Sequence, residues 1–290
     1  MTYQCRDHQI YKNLQEIEKT VPRQRLRGER TRLAHDRPCQ EPGKFLTLPA
    51  FMKSFFNWSG GKDSALALYY AMQDKACSIE QLLTTVNKKY RRVSMHGVRE
   101  ELLEKQAKAI GLPLQKLLLN EQPSMAEYEA SMTHELMRLK RRGFTHAVFG
   151  DIFLEDLRKY REDRLSELGF QAIFPLWKRD TTCLVHEFLE LGFKTIVVCT
   201  KAEVLDESFV GRVIDRDFLK DLPSGVDPCG ENGEFHSFVY DGPIFRQPVS
   251  FSIGEKVFRQ YDAPKDTKDN CFSDQSSGPA MGFWFCDLVE

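Results

Sequence analysis

Ser59-Gly60-Gly61-Lys62-Asp63-Ser64 constrains this chain more than any other stretch. Lys53-Ser54-Phe55-Phe56-Asn57-Trp58 precedes it and reads as a short aromatic strand. Ala65 to Met72 follows as an Ala- and Leu-rich run that reads as a helix. A strand, a glycine turn and a helix start in succession make an anion site. Glycines let backbone N–H groups approach a phosphate, and a helix N-terminus carries about half a positive charge. Lys62 adds a full positive charge, and Ser59 and Ser64 add hydroxyl donors.

The turn is not a Walker A loop. That motif needs G-x-x-x-x-G-K-[ST], whereas Asp63 follows Lys62 and Phe56 stands five positions before Gly61. The order S-G-G-K-D-S resembles the PP-loop, the pyrophosphate-binding turn of the PP-loop ATP pyrophosphatases. The resemblance implies ATP as cofactor, cut between its α and β phosphates. It makes Ser59, Gly60, Gly61, Lys62, Asp63 and Ser64 candidate nucleotide ligands. Lys62 is also a candidate catalytic residue, and Asp63 a candidate Mg²⁺ ligand.

Composition narrows the classes. At 290 residues the chain has room for one large domain or two small ones. A net charge of −1 gives no global case for nucleic acid or an anionic membrane. No apolar run approaches the roughly 20 residues that span a bilayer. The eight cysteines form no C-x-x-C pair, which removes the common zinc and dithiol motifs. Scattered cysteines beside an ATP motif fit a reducing cytosol, so a cytoplasmic protein is expected.

Residues 1–51 differ from the rest. They hold ten Lys and Arg against six Asp and Glu, a net of +4, which leaves −5 for the remainder. A basic arm for nucleic acid and an organelle presequence are two readings. Glu16, Glu18, Glu29 and Asp36 count against a presequence. The expectation is a disordered or non-native extension, with Met52 as the native start.

From Met52 strands alternate with helices. Strands are expected at 53–58, 79–87, 114–119, 146–150 and 171–174. Helices are expected at 65–72, 98–110, 124–142 and 154–168. Ser124 followed by Glu127 is a capping box, and Gly111, Gly143 and Gly169 are stops. This alternation implies an α/β fold: a doubly wound, mainly parallel five-stranded sheet, with ligands at the carboxyl ends of the strands. The nucleotide domain is expected over 52–178. A smaller C-terminal α+β subdomain follows over 179–290. It has strand candidates at 194–200, 235–240, 249–259 and 282–288, the last two pairing across a mobile polar loop at 263–281.

Three further clusters carry chemistry. His96, in Ser94-Met95-His96-Gly97, is either a nucleotide contact or a helix cap. Gly150 allows close approach of a flat base, and Asp151 accepts a hydrogen bond or helps hold a metal, unless it only caps the next helix. Gly230-Glu231-Asn232-Gly233-Glu234 puts two carboxylates three apart on glycine-hinged backbone. They suit an ion, an amine or a base role, with Gly230, Asn232, Gly233 and His236 as candidate substrate contacts. Several arginines line 158–164, and spacing alone does not choose one that faces the phosphates.

Together, S-G-G-K-D-S, Ser94-Met95-His96-Gly97, Gly150-Asp151, Pro175-Leu176-Trp177 and Gly230–Glu234 resemble the diphthine–ammonia ligase family. Its members are PP-loop, adenine nucleotide α-hydrolase-like proteins. They amidate the carboxylate of diphthine, a modified histidine of translation elongation factor 2, with ATP and ammonia. The resemblance implies an ATP-dependent carbon–nitrogen ligase that adenylylates a carboxylate and releases AMP and pyrophosphate. Glu231 and Glu234 become candidate catalytic residues beside Lys62. Asn232 and His236 depart from the family's usual residues there, so a related carboxylate stays open as acceptor. No cysteine directly follows Met1 or Met52 and no glutaminase segment is visible, so free ammonia is the expected nitrogen source.

Two other functions fit the PP-loop. One is an RNA-modifying enzyme such as a tRNA thiolase, which the absence of paired cysteines and of a basic core counts against. The other is an adenine-nucleotide sensor without turnover, which the carboxylate loop counts against.

Overall fold

Alternation of strand and helix from residue 52 produces a sheet whose order reverses at its first strand. The computed structural model describes residues 51–93, 97–120, 123–261 and 281–290. In chain order the elements are β1 (Met52–Asn57), α1 (Lys62–Gln73), β2 (Cys77–Asn87), β3 (Arg92–Val93) and α2 (Glu100–Ile110). Next come β4 (Leu114–Leu119), α3 (Met125–Arg141), β5 (His146–Val148), α4 (Glu155–Glu167) and β6 (Gln171–Ile173). Five of the strands run parallel in the order β4-β2-β1-β5-β6. The expected doubly wound sheet is therefore present. A sixth strand, the two-residue β3, lies antiparallel against the end of β2 and was too short to leave a pattern.

The register sets where a ligand can bind. Asn57 pairs with Leu83 of β2, and Phe56 pairs with Val148 of β5. The carboxyl ends of β1 and β5 thus open side by side at the strand where the order reverses, the place where such sheets bind ligands.

Local chemistry explains the helix bounds. Ser124 and Glu127 form the capping box of α3, and Gly111 ends α2 in the left-handed region at φ 85°. The α2 helix starts at Glu100, not at Val98. The Val98 carbonyl instead accepts from Val93 N at 2.8 Å, and Arg92 bridges Arg99. Leu102, Ala109 and Ile110 are buried on one side of α2, and Val98 is buried just before it.

The remaining elements are α5 (Thr181–Glu190), β7 (Lys194–Lys201), α6 (Arg216–Asp221), β8 (Phe235–Asp241), β9 (Ser252–Tyr261) and β10 (Met281–Val289). Their strands form an antiparallel sheet in the order β8-β7-β10-β9. The last strand pairs with the one before it, from Met281 with Tyr261 to Val289 with Ser252. Val249 stays outside β9 because its N–H donates to Tyr240 O at 2.7 Å.

Phe55 and Phe56 point to opposite faces of β1, as neighbours on a strand must. Phe56 belongs to a core that runs through Leu66, Leu102 and Phe188 into the second sheet at Val197 and Phe238. Phe55 belongs to a separate cluster with Leu136, Leu139, Phe144 and Phe170. One apolar core is thus common to both sheets, and α1 lies between them.

No helix among the described residues is long and apolar enough to cross a membrane. The basic extension at 1–50, the segment 94–96 with His96, and the polar stretch 262–280 lie outside the described residues.

Candidate active site

The turn between β1 and α1 is held by its own side chains and by the second sheet. Gly61 N donates to Ser59 Oγ at 3.3 Å, and Ser59 N donates to Ser64 Oγ at 3.3 Å. The two serines therefore shape the turn as well as facing its cavity. Gly60 has φ 83°. A Cβ on it would lie 2.8 Å from Leu103 Cδ2 and 2.9 Å from Gln106 Oε1, so glycine is required there. The Gly60 carbonyl accepts from Val239 N at 2.9 Å and from Gln106 Nε2 at 3.0 Å. Lys62 N donates to Ser237 Oγ at 3.2 Å. Gly61 is the N-cap of α1 and, as a glycine, supplies no side-chain cap of its own.

Lys62 is buried. Its ammonium donates to both Asp63 oxygens, at 2.9 and 2.7 Å, and to the Cys229 carbonyl. It also lies 5.5 Å from the Phe235 ring centre. Burial pulls the Lys62 pKa down, but Asp63, Cys229 and Glu231 hold it above its ordinary value, so the ammonium stays charged.

The loop from 227 to 234 brings the distant carboxylates to this turn. Asp227 folds it: Oδ1 accepts from Cys229 N at 2.7 Å and Oδ2 from Thr181 Oγ1 at 2.7 Å. Glu234 works in the same way. It is buried, and its oxygens accept from Asp227 N, Asn232 N and Asn232 Nδ2 at 2.9–3.1 Å. Glu234 does not line the cavity, whereas Glu231 does. Burial and the nearby carboxylates of Asp63 and Asp151 push the Glu231 pKa up to about 8 against the pull of Lys62. Gly230 has φ 70°, and a Cβ there would meet the Phe235 carbonyl at 2.8 Å.

The end of β5 closes the site from the other side. A Cβ on Gly150 would lie 3.0 Å from both Ser64 Cα and Ser64 N, so the two backbones are in direct contact. Asp151 follows, and Arg161 Nη1 on α4 donates to its Oδ2 at 2.5 Å. Burial raises the Asp151 pKa, and Arg161 opposes that rise.

All of this surrounds one cavity of about 1170 Å³. It is lined by Ser59, Gly61, Lys62, Asp63 and Ser64 from the turn, and by Gly150 and Asp151. Gly230, Glu231, Asn232, Gly233 and His236 line it from the loop and β8. Gly60 lies behind the turn, with its carbonyl directed at Val239 and Gln106. Thr84 and Thr85 also line the cavity, from within β2.

An ATP molecule suits this lining: the helix start and Lys62 for phosphate, and apolar side chains such as Leu83, Val93 and Phe149 for the rest. Mg²⁺ is a different case. Both oxygens of Asp63 are taken by Lys62. Among the described residues no group of three His, Cys, Asp or Glu could hold a metal ion. The side chains of the described residues therefore do not form a Mg²⁺ cage by themselves.

Sequence patterns missed four residues that build the site. Gln106 reads as an ordinary polar position of an amphipathic helix, yet it is fully buried and accepts from Trp58 Nε1 at 3.0 Å. Asp227 and Ser237 flank the glycine loop but carry no motif of their own. Arg161 is one of several arginines on α4, and only the fold separates it from Arg158, which pairs with Glu162 at 2.7 Å. Burial pushes the Cys229 thiol pKa up, and its Sγ donates to Thr181 O at 3.3 Å.

Comparison with known proteins agrees with this architecture. Residues 52–172 match the family model described as diphthamide synthase N-terminal domain, and residues 180–266 match diphthamide synthase C-terminal domain. The chain is 24% identical over 235 residues to diphthine–ammonia ligase of Bos taurus, covering 71% of this chain and 85% of that protein. It is 27% identical over 172 residues to diphthine–ammonia ligase of Danio rerio, covering 54% and 68%. Against the Homo sapiens protein of the same name it is 27% identical over 142 residues, 47% of this chain and about half, 53%, of the relative. With both domain models matched along the two sheets that form the cavity, the chain belongs to the diphthine–ammonia ligase family of ATP-dependent ligases.

Proposed function

We propose that this chain joins ammonia to a carboxylate, that of diphthine or a related acceptor, with cleavage of ATP to AMP and pyrophosphate. One observation supports this most strongly. A charged, buried Lys62, the start of α1 that it opens, and the Glu231 carboxylate from a loop far along the chain face one cavity. The first two suit a departing pyrophosphate. The third suits an amine.

In the first step an acceptor carboxylate oxygen bonds to the α-phosphorus, and the bond from that phosphorus to the β-bridging oxygen breaks. Lys62, Ser59, Ser64 and the N–H groups that open α1 stabilise the negative charge gathering on pyrophosphate. In the second step the ammonia nitrogen bonds to the acyl carbon and AMP leaves. Glu231, ionised, takes the proton that nitrogen sheds. Its raised pKa suits that role, because a base whose pKa lies near the working pH is partly ionised and still a good acceptor. Glu234 acts indirectly, through the loop it ties together. Asn232, Gly233 and His236 are the acceptor-side contacts.

The test is product analysis with ATP, ammonium and elongation factor 2 carrying diphthine. AMP and pyrophosphate in equal amounts, with amide formed, are expected. ADP and phosphate would refute the reading. AMP and pyrophosphate formed only with a different carboxylate would keep the chemistry and change the acceptor.

A further inference from the structure

Three cationic side chains of Lys or Arg line the cavity among the described residues: Lys62, Arg161 and Arg164. Their protein partners differ. Lys62 gives its three N–H groups to Asp63 and the Cys229 carbonyl. Arg164 is 46% exposed and is shared between two carboxylates, Glu129 at 2.5 Å and Glu167 at 3.4 Å, which neutralise it. Arg161 differs. It donates through Nη1 to Asp151, and 27% of its side chain remains exposed on the cavity. A guanidinium carries five N–H donors in a planar fork, so most of its capacity is left for a ligand.

Its orientation is fixed in advance. The guanidinium carbon lies 4.4 Å from the centre of the Phe149 ring, and the Asp151 carboxylate holds one edge. A plane stacked below and tied at one side costs little entropy to present to an oxyanion. The charge balance calls for such a ligand. Asp63, Asp151 and Glu231 all face the cavity, so an anionic substrate group away from the turn needs a cation of its own.

Position selects the group. The turn and the start of α1 take the pyrophosphate end. Gly150 touches the backbone at Ser64 in the first turn of α1, and the next residue, Asp151, holds Arg161. A group one step along the nucleotide from the β-phosphate meets this wall.

We propose that Arg161, oriented by Asp151 and Phe149, binds the α-phosphate, the phosphoryl group shared by ATP, the acyl-adenylate and AMP. The inference rests on the nucleotide reading above and adds to it the residue that grips the reacting phosphorus centre.

Calorimetric titration of the full chain tests it with three probes: AMP, adenosine and pyrophosphate. In Arg161→Gln, AMP affinity should fall about tenfold or more, as for loss of a charged hydrogen bond. Adenosine and pyrophosphate affinities should hold. Arg161→Lys should recover part of the loss. Arg161→Gln leaves the Asp151 charge uncompensated, so Arg161→Gln/Asp151→Asn is compared with Asp151→Asn alone, and the same AMP-specific loss is expected. Unchanged AMP affinity, or an equal fall for all three probes, overturns the inference. So does wild type that binds AMP no better than adenosine. If the AMP-specific loss is found in a protein that makes no AMP from ATP, the ligase chemistry fails and this contact stands. If wild type makes AMP and pyrophosphate and Arg161→Gln binds AMP as before, this contact alone fails.

Discussion

Lys62 Nζ donates to the backbone carbonyl of Cys229, 167 residues further along the chain. That bond joins the phosphate turn of the parallel sheet to the carboxylate loop of the antiparallel one. It is reinforced by Lys62 N to Ser237 Oγ at 3.2 Å and by Val239 N to the Gly60 carbonyl at 2.9 Å. The turn is therefore shaped by both sheets at once.

Gln106 holds the same junction from behind. Its Nε2 donates to Gly60 O and Val239 O at 3.0 and 2.6 Å, and its Oε1 accepts from Trp58 Nε1 at 3.0 Å. Gln106→Leu leaves buried partners unpaired and should cost roughly 2–4 kcal/mol. Denaturant unfolding checks the loss. A midpoint equal to wild type would show the network to be energetically idle.

Gly150→Ala tests the close approach at the end of β5. The added Cβ would meet Ser64 backbone at 3.0 Å, and backbone cannot swing aside as a side chain can. A cost of about 1–3 kcal/mol is expected, paired with weaker ATP binding because the start of α1 must shift. Thermal melts and nucleotide titration read both effects. Normal ATP affinity in the variant would mean that the start of α1 is not part of the nucleotide site.

Glu231 should make both stability and rate depend on pH. Its pKa is raised from 4.5 to about 8, first by burial and then by Asp63. The folded chain therefore binds the proton more tightly than the unfolded one. The stability this contributes is fully present below about pH 4.5 and is lost as pH rises through 8. Glu231→Gln should flatten stability across that window by an amount on the order of 2 kcal/mol. Amide formation should rise with pH through the same region in wild type and lose that limb in the variant. Identical pH profiles of stability for the two proteins would remove Glu231 as the titrating group.

The fold was legible where local chemistry decides it. Ser124 and Glu127 form the expected capping box, and the alternating elements pair as a parallel sheet. S-G-G-K-D-S stands at a helix start beside the reversal of strand order, where its chemistry requires it. The missing parts are decided by contacts between distant residues. Glu231 and Glu234 look equivalent in sequence, yet one faces the cavity and the other binds its own loop. Nothing in α4 separates Arg161 from its neighbours until β5 brings Asp151 beside it. The burial of Gln106 depends on β8, which lies far along the chain.

The account turns on cleavage of ATP between its α and β phosphates at the Lys62 turn. The direct measurement follows the products of α-labelled ATP with wild type and with Lys62→Met, whose fold is checked by circular dichroism. Wild type should yield AMP and pyrophosphate, and a folded Lys62→Met should lose at least about 100-fold in pyrophosphate release, as for removal of a charged transition-state donor. ADP as the product, or pyrophosphate release unchanged in the folded variant, would contradict it.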